Sequence, residues 1–351
     1  MKKSIIYLSM LIASLFLFFG CDDPNNTVDS HTTEITVIFN ANGGFLSDSG
    51  SMTNSTAKKY TINNGDPSFF NLPTAESLSL SKNGSTFIGW ATEADAATAK
   101  YKDGESVFWT TDITLYAIWK NGYGASVDTL SSVLNAHQHE NDIVINITGS
   151  WKSGDYEKIA STLKTRESTN TKQYTLDFTL YDTHYSISNS FKDLKYMKSI
   201  VLSDSYMVPL SDSKPFENCN SLQSISFGNT TSQYESIDGV LYFGDTLLFY
   251  PRGKTSSSFT LAAGKKLERY AFLNCVMLTS VVLPNTITKI PARTFQGCSN
   301  LASVDVIPND ASSCCYEWII DNVNNDTIHQ TATGMANLLT GDYCNFTWTR
   351  K

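Results

Sequence analysis

Two short stretches of the sequence carry residue types that can do chemistry, but neither has the spacing that the chemistry needs. His137-Gln138-His139-Glu140 places two imidazoles and a carboxylate together, as a metal site would. A zinc site needs further ligands at matched spacing, and the chain has only five histidines. Gly253-Lys254-Thr255 matches the end of a phosphate-binding loop, whose upstream glycine would have to stand where Leu248 does. We therefore predict no cofactor, no metal, no catalytic residue and a protein that is not an enzyme.

The seven cysteines fall into three groups by position. One follows an apolar N-terminal stretch, three recur at a shared spacing, and three lie near the C-terminus: Cys21; Cys219, Cys275 and Cys298; Cys314, Cys315 and Cys344. Exported proteins usually pair their cysteines. The three recurring cysteines are nevertheless expected to be buried small hydrophobic residues, because their shared position faces an apolar core. A disulfide among the three C-terminal cysteines stays open.

Residues 1–20 are predicted to be an export signal. Lys2 and Lys3 precede the apolar stretch 5–19, which is shorter than the about 20 residues that a membrane-spanning helix needs. It ends in Gly20-Cys21, which resembles a bacterial lipobox and implies cleavage before Cys21 and attachment of lipid to its thiol. An ordinary signal peptide cut nearby and an uncleaved anchor are the alternatives. The polar residues 21–33 are expected to be a flexible tether, and the protein an exported one, anchored to the bacterial membrane at the cell surface, in the outer membrane.

Composition limits the possible partners. The chain has 351 residues, 41% of them hydrophobic and 17% charged, with a formal net charge of −8. Length alone predicts about two domains, and the hydrophobic fraction is sufficient for packed cores. A nucleic-acid-binding protein needs a basic footprint, and the sequence has no stripe of Lys and Arg. We therefore expect no nucleic-acid partner.

The segment 34–120 is expected to form a small β domain. It contains three motifs in order, Val37-x-Phe39-Asn40-Ala41-Asn42-Gly43-Gly44, Phe87-x-Gly89-Trp90 and Leu115-Tyr116-Ala117-x-Trp119. The set resembles the internalin-type B repeat, also called the Listeria–Bacteroides repeat. That resemblance implies a small β-grasp-like fold that serves as a spacer in bacterial surface proteins. The large aromatic side chains are expected to form the core of the domain, with a sugar-binding platform as the alternative.

The segment 121–351 contains an internal repeat. Four stretches share the pattern Phe-x-x-Cys/Leu-x-x-Leu/Met-x-Ser-Ile/Val, starting at Phe191, Phe216, Phe272 and Phe295. Two weaker strands, 177–180 and 258–261, join the same register. Equivalent positions are then 178, 200, 225, 259, 281 and 304, and all but one of the spacings lie in the range of leucine-rich repeats.

The one long spacing has a visible cause. Residues 237–243 and 246–250 read as two strands around Gly244-Asp245, which predicts an inserted β-hairpin rather than a missing repeat. The repeat and hairpin resemble the BspA-like, treponemal-type leucine-rich repeats of bacterial surface proteins. We expect repeats over 174–308, flanked by an N-terminal cap over 121–173 and a C-terminal cap over 309–351, because a solenoid must cover its last apolar layer. The cap is predicted to hold a helix near 126–136, a strand at 143–147 and a helix near 154–165. The fold class is therefore mostly β with some α.

Strand alternation sorts the side chains of the repeats into two faces. The equivalent positions above point inward, and their neighbours point outward, including Asp177 and Thr179 in the weak first strand. The outward set, small and rich in hydroxyl groups, is named here the outer rows: Ser199, Val201, Ser224, Ser226, Ser258, Thr260, Ser280, Val282, Ser303 and Asp305. Such a face is a candidate binding surface; alternatively, small residues merely let the strands stack regularly.

The predicted function follows from these parts. We expect a non-enzymatic, lipid-anchored bacterial surface protein whose repeats bind a host or neighbouring-cell protein or a matrix component, as an adhesin does. The membrane is reached through the lipid on Cys21, and the external partner is a protein or a glycan. The alternatives are a structural envelope component without a specific ligand and a glycan-binding module. The binding role rests on family analogy, because a fold does not determine function.

Overall fold

The computed structural model of the chain describes residues 32–48, 51–63, 69–182, 189–203, 214–228, 233–284, 286–287, 290–291, 293–306, 330–333 and 346–349. Residues 1–31, which hold the predicted signal peptide, Cys21 and most of the predicted tether, lie outside the described residues. So do Cys314, Cys315, Cys344 and most of the expected C-terminal cap.

The first domain is a β-grasp-like sheet, as predicted. Its central sheet has the strand order β4-β1-β8-β6, in which β1 and β8 are parallel and the outer strands are antiparallel to them. Two antiparallel pairs, β2 with β3 and β5 with β7, lie beside this sheet. The strands are β1 (Thr32–Asn40), β2 (Leu46–Asp48), β3 (Ser51–Thr53), β4 (Ser55–Asn63), β5 (Phe70–Asn71), β6 (Ser85–Ala91), β7 (Ser106–Val107) and β8 (Ile113–Asn121).

The aromatic motif residues form the core of this domain. Phe39 and Trp90 are fully buried, with ring centroids 5.1 Å apart in an edge-to-face arrangement, and the half-buried Phe87 packs on Trp90 at 5.0 Å. Gly89 has a φ of 133° at a bulge in β6, and a Cβ there would lie 2.4 Å from the Tyr101 carbonyl oxygen. The Phe-x-Gly-Trp motif therefore has a steric reason: only glycine lets the two backbones approach so closely.

The repeat region begins as a five-stranded parallel sheet of order β15-β14-β12-β10-β9. The helices and the strand that were predicted for the segment 121–173 are all present; β10 pairs on both sides, and β9 of the same segment forms the outer edge of the sheet. The elements are β9 (Tyr123–Ala125), α1 (Leu130–Ala136), β10 (Ile143–Ile147), β11 (Gly149–Ser150), α2 (Asp155–Glu167), β12 (Tyr174–Asp177), β13 (Tyr181–Asp182), β14 (Met197–Leu202) and β15 (Ser224–Phe227).

The first weak strand was wrongly placed by two residues. Ile200 pairs with Leu176, not with Phe178, and the strand ends at Asp177. The Asp177 carboxylate accepts hydrogen bonds from both the backbone N–H and the hydroxyl of Thr179, which turns the chain. Phe178 still fills the core from this turn, which explains why the hydrophobic pattern misled the register.

The inserted hairpin is confirmed, but it is larger than predicted. Residues 237–243 are not one strand, because Asp238 and Gly239, both at positive φ, make a tight turn in the middle. The result is an antiparallel meander whose last strand pairs in parallel with a short strand further on. The meander consists of β16 (Tyr234–Ile237), β17 (Val240–Phe243) and β18 (Thr246–Phe249), and β18 pairs with β20 (Lys266–Leu267). Between β18 and β20 the chain forms β19 (Ser258–Thr260), which belongs to the next sheet.

The hairpin lies between two separate hydrophobic cores of the repeat region. Leu241 and Leu248 belong to the core formed with β9–β15, whereas their neighbours Val240, Tyr242 and Leu247 belong to the core of the later repeats. Side chains that alternate along a strand point to opposite faces. Because both faces of the hairpin are covered, its strands are nearly continuous runs of apolar residues, as is usual for doubly buried strands.

The later repeats form a second parallel sheet, of order β19-β21-β22. A parallel strand pair near the C-terminus contacts its last strand. The strands are β21 (Ser280–Leu283), β22 (Ser303–Val306), β23 (Gln330–Thr333) and β24 (Phe346–Thr349). The solenoid sheet is thus two sheets with the hairpin between them.

Candidate functional site

The structure places the outer rows in the predicted register. In the first sheet Ser199 is opposite Ser224 and Val201 is opposite Ser226. In the second sheet the three serines and the three following residues align in the same way: Ser258, Ser280 and Ser303; Thr260, Val282 and Asp305. Ser258 and Thr260 are exposed, and the remaining outer-row side chains that the structure describes are half-buried.

The hairpin divides the outer rows into two short surfaces. The Ile225 N–H donates to the Gly239 carbonyl oxygen at 2.9 Å, and the Ser236 hydroxyl donates to the Ile225 carbonyl oxygen at 2.6 Å. The edge of β15 is therefore occupied by the hairpin and not by β19. A polar cleft of about 460 Å³ marks the division, lined by Gln223, Ser224, Asp238, Gly239, Lys254, Thr255 and Ser256.

The recurring cysteines form a buried row, as predicted. Each thiol donates to a backbone carbonyl of the preceding repeat: Cys219 to Phe191 at 3.2 Å, Cys275 to Tyr250 at 3.5 Å and Cys298 to Phe272 at 2.9 Å. The phenylalanine that begins the repeat pattern is called here the template phenylalanine. Tyr250 takes its place in the repeat that carries the hairpin. Burial raises the pKa of Cys219 to about 12, so this thiol is not a nucleophile at neutral pH.

The residue before each of the three cysteines, and before Leu194 at the equivalent position, has a left-handed backbone. Asp193, Asn218, Asn274 and Gly297 all have φ between 58° and 73°. They are linked between repeats, since the Asn218 amide donates to the Asp193 carboxylate at 2.7 Å and the Asn274 N–H donates to the Gln296 carbonyl. Asp, Asn and Gly are the residues that tolerate this conformation, so this row is structural.

The two stretches with potentially reactive residues, 137–140 and 253–255, make hydrogen bonds within the fold. His137 Nδ1 lies 2.8 Å from Glu140 Oε1, and the Tyr123 hydroxyl donates to Glu140 Oε2 at 2.9 Å. These hydrogen bonds lower the pKa of Glu140. Gly253 packs on the backbone of Ser221–Leu222 and donates its N–H to the Leu222 carbonyl oxygen at 2.7 Å. Within the described part of the chain, no three His, Cys, Asp or Glu side chains converge as metal ligands do.

A polar junction joins the first domain to the repeat region. The fully buried Asn146 amide donates to the Thr86 hydroxyl at 2.8 Å and to the Asn121 carbonyl at 3.0 Å. The Lys120 ammonium forms an ion pair of 2.9 Å with the nearly buried Asp177 carboxylate. In the sheet Asp177 is opposite Val201, and its side chain was predicted to point outward. It is buried instead, so it is not part of an exposed binding face.

Sequence analysis missed a cluster of cations around Tyr270. Lys214 Nζ lies 4.2 Å from the centroid of its ring, and the guanidinium carbons of Arg269 and Arg293 lie 5.1 and 5.9 Å from it. Lys214, Tyr270 and Arg293 each stand two residues before a template phenylalanine. Comparing that position between repeats would have placed them in one row.

Comparison with known protein families agrees with this architecture. Residues 36–118 match the Listeria-Bacteroides repeat domain, and residues 169–238 and 258–332 match the BspA type leucine rich repeat region in six copies. The two matched segments agree with the two resemblances that the motifs carried. No curated protein matches the chain.

Solved structures that are similar to parts of this chain come from bacterial proteins. The pneumococcal vaccine antigen PcpA is 21% identical, with a TM-score of 0.32, over 40% of this chain and 32% of that one. A leucine rich cell surface protein from Faecalibacterium prausnitzii is 21% identical, with a TM-score of 0.31, over 49% and 50%. A leucine-rich repeat protein from Eubacterium ventriosum is 14% identical, with a TM-score of 0.28, over 47% and 54%. The chain spans about a third to a half of these proteins. No helix among the described residues is long and apolar enough to cross a membrane.

Proposed function

We propose that the protein is a lipid-anchored, non-enzymatic protein of the bacterial cell surface that binds a protein partner through its repeats. The observation that carries the proposal is the alignment of small polar side chains across the parallel sheet β19-β21-β22. Ser258 is in register with Ser280, and Thr260 with Val282, so the strands present a flat face of low charge. The match to the BspA type leucine rich repeat region supports a surface role.

The structure changes which part of the outer rows is the better candidate. In the first sheet, Gly239 of the hairpin packs against Ser224, and Lys120 of the first domain forms an ion pair with Asp177. The exposed Ser258 and Thr260 lie in the second sheet, beyond the hairpin. We therefore assign the partner-binding face to the second sheet, with the cleft beside Lys254 at its border.

The test of partner binding uses the mature chain from residue 21. Saturable binding is measured by biolayer interferometry against a panel of matrix and host-cell surface proteins. Ser258→Arg with Ser280→Arg should abolish binding, because two bulky charges then stand on the proposed face. The control is Ser161→Arg, on the exposed surface of α2, which should bind as the wild type does. Loss of binding in both variants, or in neither, would reject this face, and no saturable binding across the panel would favour a structural envelope component.

The lipid anchor is tested separately. If Cys21 carries lipid, the full-length protein enters the detergent phase in a phase-partition experiment, and Cys21→Ser moves it to the aqueous phase. Lipid chains contribute about 0.8 kcal/mol per buried CH₂, so their loss is decisive for partition. Equal partition of the two forms would contradict lipidation.

A further inference from the structure

The cations around Tyr270 are an unusual feature of an acidic protein. The chain carries a formal net charge of −8. Yet Lys214, Arg269 and Arg293 all lie within 6 Å of the centroid of one ring. Groups this near to one ring are within roughly one Debye length of each other at 0.1 M salt, so they repel one another. Contact with the ring face of Tyr270 compensates for part of this repulsion.

A further cation extends the cluster along the repeats. Arg252 lines the same narrow pocket as Lys214 and Tyr270. It donates to the neutral Asn218 Oδ1 at 3.2 Å, and Arg293 donates to the neutral Tyr270 hydroxyl at 2.6 Å. Lys214 lies 3.7 Å from Glu217, which has a second and closer partner in Lys192 at 2.5 Å. Among the contacts named here, the one carboxylate is that of Glu217, so it offsets only part of the positive charge of Lys214, Arg252 and Arg293.

The geometry favours an extended ligand over a small enclosed one. The pocket between these side chains has a volume of about 30 Å³, which is room for about one water molecule. The Tyr270 ring is almost fully covered and offers no face for stacking. The cations themselves remain partly exposed, and Lys214 and Arg293 belong to equivalent positions of different repeats. A ligand would therefore lie across the repeats and bring several anionic groups to the surface.

We propose that this cluster, Lys214, Arg252, Arg269 and Arg293, is a binding site for the anionic groups of a sulfated polysaccharide. Guanidinium groups bind sulfate and carboxylate with paired hydrogen bonds, which suits ester sulfates on neighbouring sugars. The choice of a glycan rests on the proposed surface location. The site shares no residue with the proposed protein-binding face of the second sheet, so loss of glycan binding and loss of protein binding can be told apart by separate variants.

The experiment measures binding of a heparin-derived octasaccharide to the mature chain by calorimetry at 50 mM NaCl. We expect saturable binding that weakens steeply with salt, and at least tenfold weaker binding by the variant with Arg252→Gln and Arg293→Gln. The control variant, Lys58→Gln with Lys158→Gln, removes the same charge from exposed positions elsewhere and should change the affinity less than twofold. Inorganic sulfate is expected to compete only weakly, because it makes one contact at a time.

Several results would overturn the proposal. They are an equal loss in both variants, equal binding of the chemically desulfated octasaccharide, no saturable binding, or tighter binding of anionic vesicles through the same residues. Thermal unfolding of each variant checks the fold. If Arg293→Gln unfolds the protein, Arg252→Gln with Lys214→Gln replaces it, and the same tenfold loss is required. Intact affinity in that variant rejects the site.

Discussion

The docking of the inserted hairpin on β15 leads to a sharp prediction about two glycines. Gly239 and Gly244 form the two turns of the same meander, and both have positive φ, 73° and 54°. A Cβ at Gly239 would lie 2.7 Å from the Ser224 hydroxyl oxygen and 2.9 Å from the Ser224 Cα. A Cβ at Gly244 would meet nothing within 4 Å. Gly239→Ala and Gly244→Ala are therefore a matched pair that differs in the contact with β15.

The magnitudes follow from the two costs. An L-residue in the left-handed region costs about 1–2 kcal/mol, and both variants bear this cost. Gly239→Ala also forces the turn away from the Ser224 backbone, which is overpacking of about 1–3 kcal/mol. It endangers the hydrogen bond from Ile225 N–H to the Gly239 carbonyl. The expected difference between the variants is about 2 kcal/mol, or roughly 4–8 °C in Tm for a domain of 150–250 residues.

The assay is unfolding of the chain from residue 21 onward, followed by circular dichroism in urea and on heating. Gly239→Ala should unfold at clearly lower urea concentration than Gly244→Ala. A second comparison, Ser224→Gly in the Gly239→Ala background, should restore part of the loss, because it removes the hydroxyl that the new methyl group meets. Equal stability of the two single variants would refute the docking of the hairpin against β15.

Three further predictions concern the buried groups. Cys219→Ala should lower the free energy of unfolding by about 1–3 kcal/mol in urea titrations, because it leaves a cavity and an unused Phe191 carbonyl; an unchanged midpoint would contradict its burial. Because the pKa of Cys219 is raised from 9.0 to about 12, its thiolate fraction at pH 8 falls roughly a thousandfold. Iodoacetamide should therefore label it in urea but not in the native protein, as peptide mass mapping will show, and rapid native labelling would refute this. Lys120→Met leaves the Asp177 carboxylate without its cation and should cost about 1.5–3 kcal/mol, part of which Asp177→Asn should restore; no rescue would argue against the ion pair at the junction.

Much of the fold could be predicted from the sequence, because the repeat pattern depends on residues that are close together along the chain. The spacing of the template phenylalanines, cysteines and strand residues predicted repeat strands in one register, and the pairing of Ser258 with Ser280 confirms it for this pair. The one misplaced strand shows the limit of the pattern. Tyr174 and Leu176 were overlooked because Phe178 and Leu180 alternate in the same way, and the Asp177–Thr179 turn decides where the strand ends.

The candidate sites were harder to predict from the sequence, because they depend on contacts between residues that are far apart along the chain. The sequence showed the outer rows as one ladder, but the structure divides them where the hairpin takes the free edge of β15. Sequence also showed no basic stripe, since Lys214, Arg252 and Arg293 are separated by about 40 residues at a time and meet only when repeats stack.

The sequence by itself determined the repeat, the hairpin and the buried cysteines, and the resemblance of the first segment's motifs to a known repeat implied its β-grasp-like fold. These depend on side-chain periodicity and on residues such as Gly89 whose backbone has few alternatives. The tertiary structure alone decided which sheet edge the hairpin occupies, that its two faces serve two cores, and which cations surround Tyr270. The physical reason is that an exposed strand edge accepts any strand with free N–H and C=O groups, so packing of the whole chain selects the partner.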